Sequence, residues 1–230
     1  MYDPVQLKGG YLAPGLALIF DLDGVIVDSN PAHREAWARF NRQFGLETTD
    51  AMQERMYGKR NDEIIRDFFG DGLSAEEVAA RGAAKERLYR EMVAERIEEM
   101  LVPGLRGFLD AMDGTPMAVA SNAEPANVDF FLDRGRLRRY FRAVVDGHQV
   151  ENPKPHPEIY LRAAGLLGVS PANCIVFEDS HTGVAAAKAA GMRVIGIRTT
   201  HVNLPGAARN VDNFLSRDLY EWLRVQNRAV

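Results

Sequence analysis

The stretch LIFDLDGVIVDSN, Leu18 to Asn30, ends an apolar run on two aspartates two residues apart, Asp21 and Asp23. Residues two apart on a strand point to the same face, and two carboxylates aimed at one spot repel unless a cation or a shared proton lies between them. Other apolar runs end in a similar way. MAVA is followed by Ser121 and Asn122, AVV by Asp146, and CIVF by Glu178 and Asp179, with Lys154 a few residues beyond Asp146. An all-oxygen cluster of Asp21, Asp23 and Asp179, with Glu178 close by, suits a hard cation. A few carboxylates completed by water and a substrate phosphate is the usual arrangement of Mg²⁺. There is no His/Cys grouping at zinc spacing, and the regular ligand loop of calcium is absent.

Ser121, with Asn122 beside it, can donate to a phosphate oxygen, and Lys154 can balance the phosphate charge. Backbone N–H groups at Leu22 and Asp23 would complete an anion cradle. Such a set performs phosphoryl transfer, where positioning and charge neutralisation supply most of the rate. One aspartate attacks phosphorus and becomes an aspartyl-phosphate. The other protonates the leaving oxygen and then deprotonates the attacking water. Asp21, first after the strand, is the expected nucleophile, and Asp23 the expected acid and base. Asp28 reads as a turn residue with no chemistry.

These groups converge only if the chain folds as an α/β protein. Five short, nearly all-apolar runs read as parallel strands covered on both faces: LALIF (16–20), MAVA (117–120), AVVD (143–146), CIVF (174–177) and RVIGI (193–197). Helical segments fall between the later ones, at 122–132, 156–168 and 182–191, the last closed by Gly191. The expectation is a doubly wound, five-stranded, Rossmann-like parallel sheet, with ligands bound beyond the carboxyl ends of the strands.

Residues 29–101 carry no strand-like run and several helix signals. Asn30-Pro31 offers a helix start, SAEE at 74–77 has capping-box spacing, and Tyr89, Met92, Val93, Ile97 and Met100 keep a helical period. This predicts an all-helical insert at 29–101, set into a core formed by 1–28 and 102–230.

Composition sets the outer bounds. Hydrophobic residues at 46% and charged residues at 26% are ordinary globular values, and a net charge of −4 argues against nucleic-acid binding. The single cysteine, Cys174, excludes an internal disulfide and suits a reducing compartment. No apolar run has the length of a membrane span, and the opening MYDPVQLKGG lacks a secretory pattern. A cytoplasmic monomer without nucleic-acid or membrane partners is expected.

Together the motifs carry a resemblance. DLDGVIVDS resembles motif I of the haloacid dehalogenase (HAD) superfamily, and VASN, NPKPHPEIY and VFEDSHTGVAAAKAAGM are similar to its motifs II, III and IV, in order and over nearly the whole chain. The resemblance implies Asp21 as nucleophile and Asp23 as general acid/base. It implies Mg²⁺ held by the Asp21 side chain, the Asp23 backbone carbonyl and Asp179, with Glu178 a weaker or outer ligand. The insert resembles the four-helix cap of the branch holding β-phosphoglucomutase and many sugar-phosphate phosphatases.

Three cap residues match positions of that mutase, and all three are expected at the substrate: His33, Arg60 beside Gly58, and Lys85. They imply a small anionic, hydroxylated phosphate monoester. Each also has a plainer reading. His33 shares a helical face with Trp37 and Phe40, and Lys85 lies in a helix rich in solvated charge. The mutase carries Ser-Lys-Asn where this chain has Ala123, Glu124 and Pro125. An acid there would repel a bisphosphate intermediate, and Pro125 has no N–H to donate. Hydrolysis is therefore expected ahead of a mutase reaction. A non-catalytic binding role is opposed by the intact Asp21, Asp23, Lys154 and Asp179.

Overall fold

The computed structural model describes residues 12–56 and 59–226. The opening MYDPVQLKGG and Gly58 lie outside them.

Six strands, not five, form one parallel sheet in the order β3-β2-β1-β4-β5-β6. They are β1 (Ala17–Phe20), β2 (Met117–Ala120), β3 (Ala143–Val145), β4 (Cys174–Glu178), β5 (Arg193–Ile197) and β6 (Arg209–Val211). The sixth pairs with β5 at the sheet edge. It reads RNV, three residues with a charged and an amide side chain, and so carries no apolar signature. Edge strands are commonly this short and polar.

Alternation along the strands gives the sheet its two covered faces. Leu18 and Phe20 of β1 belong to one hydrophobic cluster with Phe108, Phe177 and Phe214. Ala17 and Ile19 belong to another with Val176, Ile159 and Val184. The rings of Phe20 and Phe177 stack at 4.7 Å, locking β1 to β4. Helices α6 (Leu105–Ala111) and α10 (Arg217–Gln226) pack on the first face and α8 (Glu158–Leu167) and α9 (His181–Ala189) on the second. The sequence reading did not anticipate α6 or α10. Buried Val128, Phe131 and Leu132 place α7 (Pro125–Arg134) on the first face.

Between β1 and β2, the described residues of the insert are helical: α1 (Asn30–Arg42), α2 (Asp50–Met56), α3 (Asn61–Phe69), α4 (Ala75–Val93) and the single turn α5 (Ile97–Met100). Ser29, not Asn30, occupies the N-cap of α1, and Asn30 is its first helical residue. The capping box at α4 forms as its spacing predicts, Ser74 Oγ accepting from the Glu77 N–H and Glu77 accepting from the Ser74 N–H. Trp37, Phe40, Met56, Ile64, Ile65, Phe68 and Val78 make a separate small core.

The chain enters and leaves this insert through adjacent segments. Val27 and Leu101 pair antiparallel, Val102 donates to the Ile26 carbonyl at 3.1 Å, and Asp28 to the Met100 carbonyl at 2.7 Å. None of the described helices is long and apolar enough to cross a membrane.

Candidate active site

Strand order reverses between β1 and β4, and the carboxyl ends of these two strands carry the acids. Asp21 follows β1, its N–H extending the ladder to the Phe177 carbonyl at 3.1 Å. Glu178 is the last residue of β4 and Asp179 the next. Because 17, 19 and 21 share one parity and 174, 176 and 178 another on the same face, Asp21 and Glu178 are delivered to the side covered by α8.

Lys154 bridges them there, its ammonium donating to Asp21 Oδ1 at 2.8 Å and Glu178 Oε1 at 2.6 Å. Glu178 is fully buried and saturated with donors. Its Oε1 also accepts from the Tyr160 hydroxyl at 2.7 Å, while Oε2 accepts the N–H groups of Asp179 and Ser180 and the Ser180 hydroxyl, each at 2.9 Å. Gly183 on α9 makes this possible, since a Cβ there would lie 1.7 Å from Glu178 Oε1.

The loop after β1 turns on Gly24, with φ +75° and no room for a side chain: a Cβ would sit 1.8 Å from Asp179 Oδ2. Asp179 Oδ2 accepts from the Thr200 hydroxyl and, at 3.4 Å, from Asn30 Nδ2, which also bonds Thr200. Oxygens of Asp21, Glu178 and Asp179 lie within 4.8 Å of one another, a group able to hold a metal ion. The Asp23 carboxylate stands outside this group. Its Oδ1 accepts from the Ser29 hydroxyl at 2.6 Å and lies 3.4 Å from His33 Nε2.

The electrostatics are those of buried, crowded carboxylates. Burial pushes the Asp21 carboxyl up to about 7, with Glu178 and Asp23 adding to the rise and Lys154 opposing it. Burial also drives Asp179 well above the ordinary range, with Glu178 and Asp21 contributing. At Glu178 burial acts upward too, but Lys154 together with the Ser180 N–H and the Tyr160 hydroxyl overcomes it, and the carboxyl sits below its usual value. Burial likewise acts upward at Asp23, where His33 and the Ser29 hydroxyl prevail and lower it. The same carboxylates hold Lys154 above its ordinary value against its own burial.

These shifts have a consequence for metal binding. The folded chain keeps a proton on Asp21 that an unfolded chain, titrating near 3.8, has released, so its stability falls as pH rises from about 4 to about 7. A divalent cation held by Asp21 and Asp179 would displace that proton. A divalent cation bound to these carboxylates is expected to raise the melting temperature more at about pH 7.5 than at about pH 5; equal shifts at the two values would contradict a metal site here.

The remaining anticipated residues line one cavity between the sheet edge and the insert, except Glu178, which lies behind it. Ser121 and Asn122 follow β2. The Ser121 N–H donates to the Val145 carbonyl at 3.0 Å, its hydroxyl accepts from the Ala123 N–H at 3.2 Å, and Asn122 Oδ1 accepts from the Lys154 N–H at 3.4 Å. From the insert come His33, Arg60 and Lys85. Arg60 Nη2 donates to the carbonyls of Gly147 at 2.5 Å and Val150 at 3.0 Å, crossing the cavity to the loop after β3. Its Nε has no partner among the described residues.

Lys85 is buried, its ammonium 2.9 Å from His33 Nδ1 and 2.6 Å from Glu86 Oε1. His33 and Lys85 therefore bond each other, as well as facing the cavity. Asn30, Lys59, Asn61, Glu86, Glu124, Asn127 and Thr200 also line the cavity; of these the sequence reading placed Glu124 alone at the site, as an acid that would repel a second phosphate. Glu124 pairs with His148 at 2.8 Å. Asp146 is a loop former, accepting from the His148 N–H and Gln149 Nε2.

A parallel sheet with paired acids at its switch point, a buried lysine bridging them and a helical insert over the cavity define a hydrolase of the haloacid dehalogenase-like class. The family model of haloacid dehalogenase-like hydrolases matches residues 16–191, and the chain belongs to that family. It is 33% identical over 182 residues to the fructose-1-phosphate phosphatase YqaB of Escherichia coli, covering 79% of this chain and 95% of that one. It is 32% identical over 186 residues to the β-phosphoglucomutase of Bacillus subtilis, covering 79% and 82%. The crystal structure of β-phosphoglucomutase from Clostridium difficile superposes with a TM-score of 0.82 at 26% identity, covering 93% of this chain and 99% of that one.

Proposed function

We propose that this chain is a Mg²⁺-dependent phosphatase that hydrolyses a small sugar phosphate through an aspartyl-phosphate on Asp21. The observation that carries this reading is the buried Lys154 joining Asp21 to Glu178 beside Asp179, because such a site is short of positive charge on one side and supplies it on the other. Residues 1–28 and 102–230 serve as the catalytic core and residues 29–101 as a lid that shields the reaction from water.

Among the described residues, Asp21 and Asp179 each retain a carboxylate oxygen with no protein donor, and they are the residues that would hold the metal, joined by the Asp23 main-chain carbonyl. With both of its oxygens saturated, Glu178 acts as the anchor of Lys154 and at most as an outer partner of the ion. When bound there, Mg²⁺ would supply positive charge to the reacting phosphate and would favour the ionised form of Asp21 at neutral pH. One oxygen of Asp21 attacks phosphorus, the other being the one that would face the metal, while Ser121, Asn122 and Lys154 hold the phosphoryl group. Asp23 transfers its proton to the leaving oxygen, then takes one from the water that cleaves the acyl-phosphate. A dianionic phosphate brought beside Asp23 raises its carboxyl and so loads it with the proton it must give.

Relatives that act on sugar phosphates support the substrate class, and the cavity's amides and cations suit hydroxyls and an anion. The second reading is a phosphomutase, favoured by the likeness to β-phosphoglucomutase. Glu124 weighs against it, placing a carboxylate on the cavity wall beside Asn122. Incubating the protein with a panel of sugar monophosphates, with and without the matching bisphosphates, separates the two. Free phosphate that appears with Mg²⁺ and disappears with EDTA is expected; sugar isomers formed without phosphate release would establish the mutase instead.

A further inference from the structure

Glu86 is an acid that no step above uses, yet it is more heavily bonded than most of the site. It is 4% exposed. Oε1 accepts from Lys85 at 2.6 Å and from Asn61 Nδ2 at 2.8 Å, and Oε2 accepts from Asn127 Nδ2 at 2.5 Å. These partners come from α4, α3 and α7, so the carboxylate joins two helices of the insert to one of the core. Asn127 is fixed in turn, its Oδ1 accepting from Arg90 at 2.7 Å. On the other side the chain of contacts continues from Lys85 to His33 at 2.9 Å and from His33 to Asp23 at 3.4 Å.

A buried ion pair is a poor stabiliser for its own sake, since apolar side chains of similar volume do as well or better. Aromatic rings also flank the pair: the Lys85 ammonium lies 4.8 Å from the Trp37 ring and 5.5 Å from that of Tyr89. Burial alone would push the Glu86 carboxyl up, but Lys85 and the Asn127 hydrogen bond hold it at about 2, so it is an anion throughout the working range. A permanent charge in that setting keeps its partners in fixed directions. Those partners end on the aspartate assigned to proton transfer.

We propose that Glu86 is a positioning residue for Asp23: it fastens α4 to the core helix α7 through Asn127 and holds Lys85, and through it His33, against the acid–base carboxylate. Asp23 is thereby oriented towards the leaving oxygen only while the insert sits on the core. This rests on the acid–base role given to Asp23 above. Proton delivery matters when the leaving group is a sugar alkoxide, a strong base. It does not matter for p-nitrophenolate, which departs without a proton. A residue that acts through Asp23 must therefore affect the two kinds of ester unequally.

The test compares kcat/KM for a sugar monophosphate and for p-nitrophenyl phosphate in the wild type, Glu86→Gln and Asn127→Ala, each checked for folding by its melting curve. In Glu86→Gln the sugar phosphate value is expected to fall about 10- to 100-fold, while that for p-nitrophenyl phosphate stays within about threefold. Asn127→Ala, which cuts the same link without touching the buried charge, should show the same split with a smaller amplitude. It carries the test if Glu86→Gln does not fold. Parallel losses on both esters, or no loss on either, overturn the proposal while leaving the phosphatase reading intact. A wild type that releases phosphate from neither ester overturns both.

Discussion

Replacing Asp21 with asparagine is expected to abolish phosphate release, by about 10⁴-fold or more, while leaving the fold as stable as before or more so. The amide cannot attack phosphorus, so the loss falls on the chemical step and not on substrate capture. Stability moves the other way because Asp21 is a buried carboxyl pushed up to about 7, and in the metal-free chain its ionisation at neutral pH works against folding. Asparagine keeps an oxygen for the Lys154 ammonium now 2.8 Å away. Phosphate release assayed with Mg²⁺, beside a melting curve recorded with EDTA, checks both halves. Persistent turnover would remove Asp21 from the nucleophile's role.

Lys154→Met is the contrasting case, expected to lose activity by about 10³-fold and stability by roughly 3–5 kcal/mol. The ammonium is 6% exposed as part of its residue and touches two carboxylates. Methionine fills its volume but leaves Asp21 and Glu178 facing each other without the charge between them. For a chain of this size the loss corresponds to a melting temperature lower by roughly 10 °C. A protein that melted normally and lost only activity would mean that the two acids are protonated or otherwise compensated. The pair of substitutions thus separates groups that share one hydrogen bond: both silence the reaction, and only the second lowers the melting point.

How much of this was legible in the sequence follows from how far each signal reaches. Asp21, Asp23 and Asp179 were readable because a strand that is apolar on both faces ends where the acids begin, and that break is local. Gly24 was readable as a bend, though its other task, leaving space for the Asp179 carboxylate, needs both loops at once. The sixth strand was hidden because RNV has neither length nor apolar character.

The cap residues show the limit most clearly. His33 and Lys85, expected at the substrate, line the cavity, but their mutual contact spans 52 positions, and no spacing rule reports it. Glu86 lies in a charge-rich helix, and neither it nor Asn127 carries a motif or spacing of its own in the sequence. They became a pair only when α4 met α7, 41 positions apart. Arg60 was expected at the substrate. It lines the cavity, and its reach to the Gly147 and Val150 carbonyls depends on a loop whose path no local pattern specifies.

The side-by-side entry and exit of the insert, where Val27 pairs with Leu101, bears on how such a chain can fold at all. β1 must find β2 across nearly a hundred residues, a separation that would slow any search by a flexible chain. Closing a loop costs entropy that grows only with the logarithm of its length, and a loop whose ends are already clasped costs little more than a turn. Once the helices of residues 30–100 have collapsed on Trp37 and Ile65, the core meets them as if they were the bend of a hairpin. The strand that carries Asp21 and the strand that precedes Ser121 are then neighbours in practice, and the longest gap in the sequence becomes a short step in assembly.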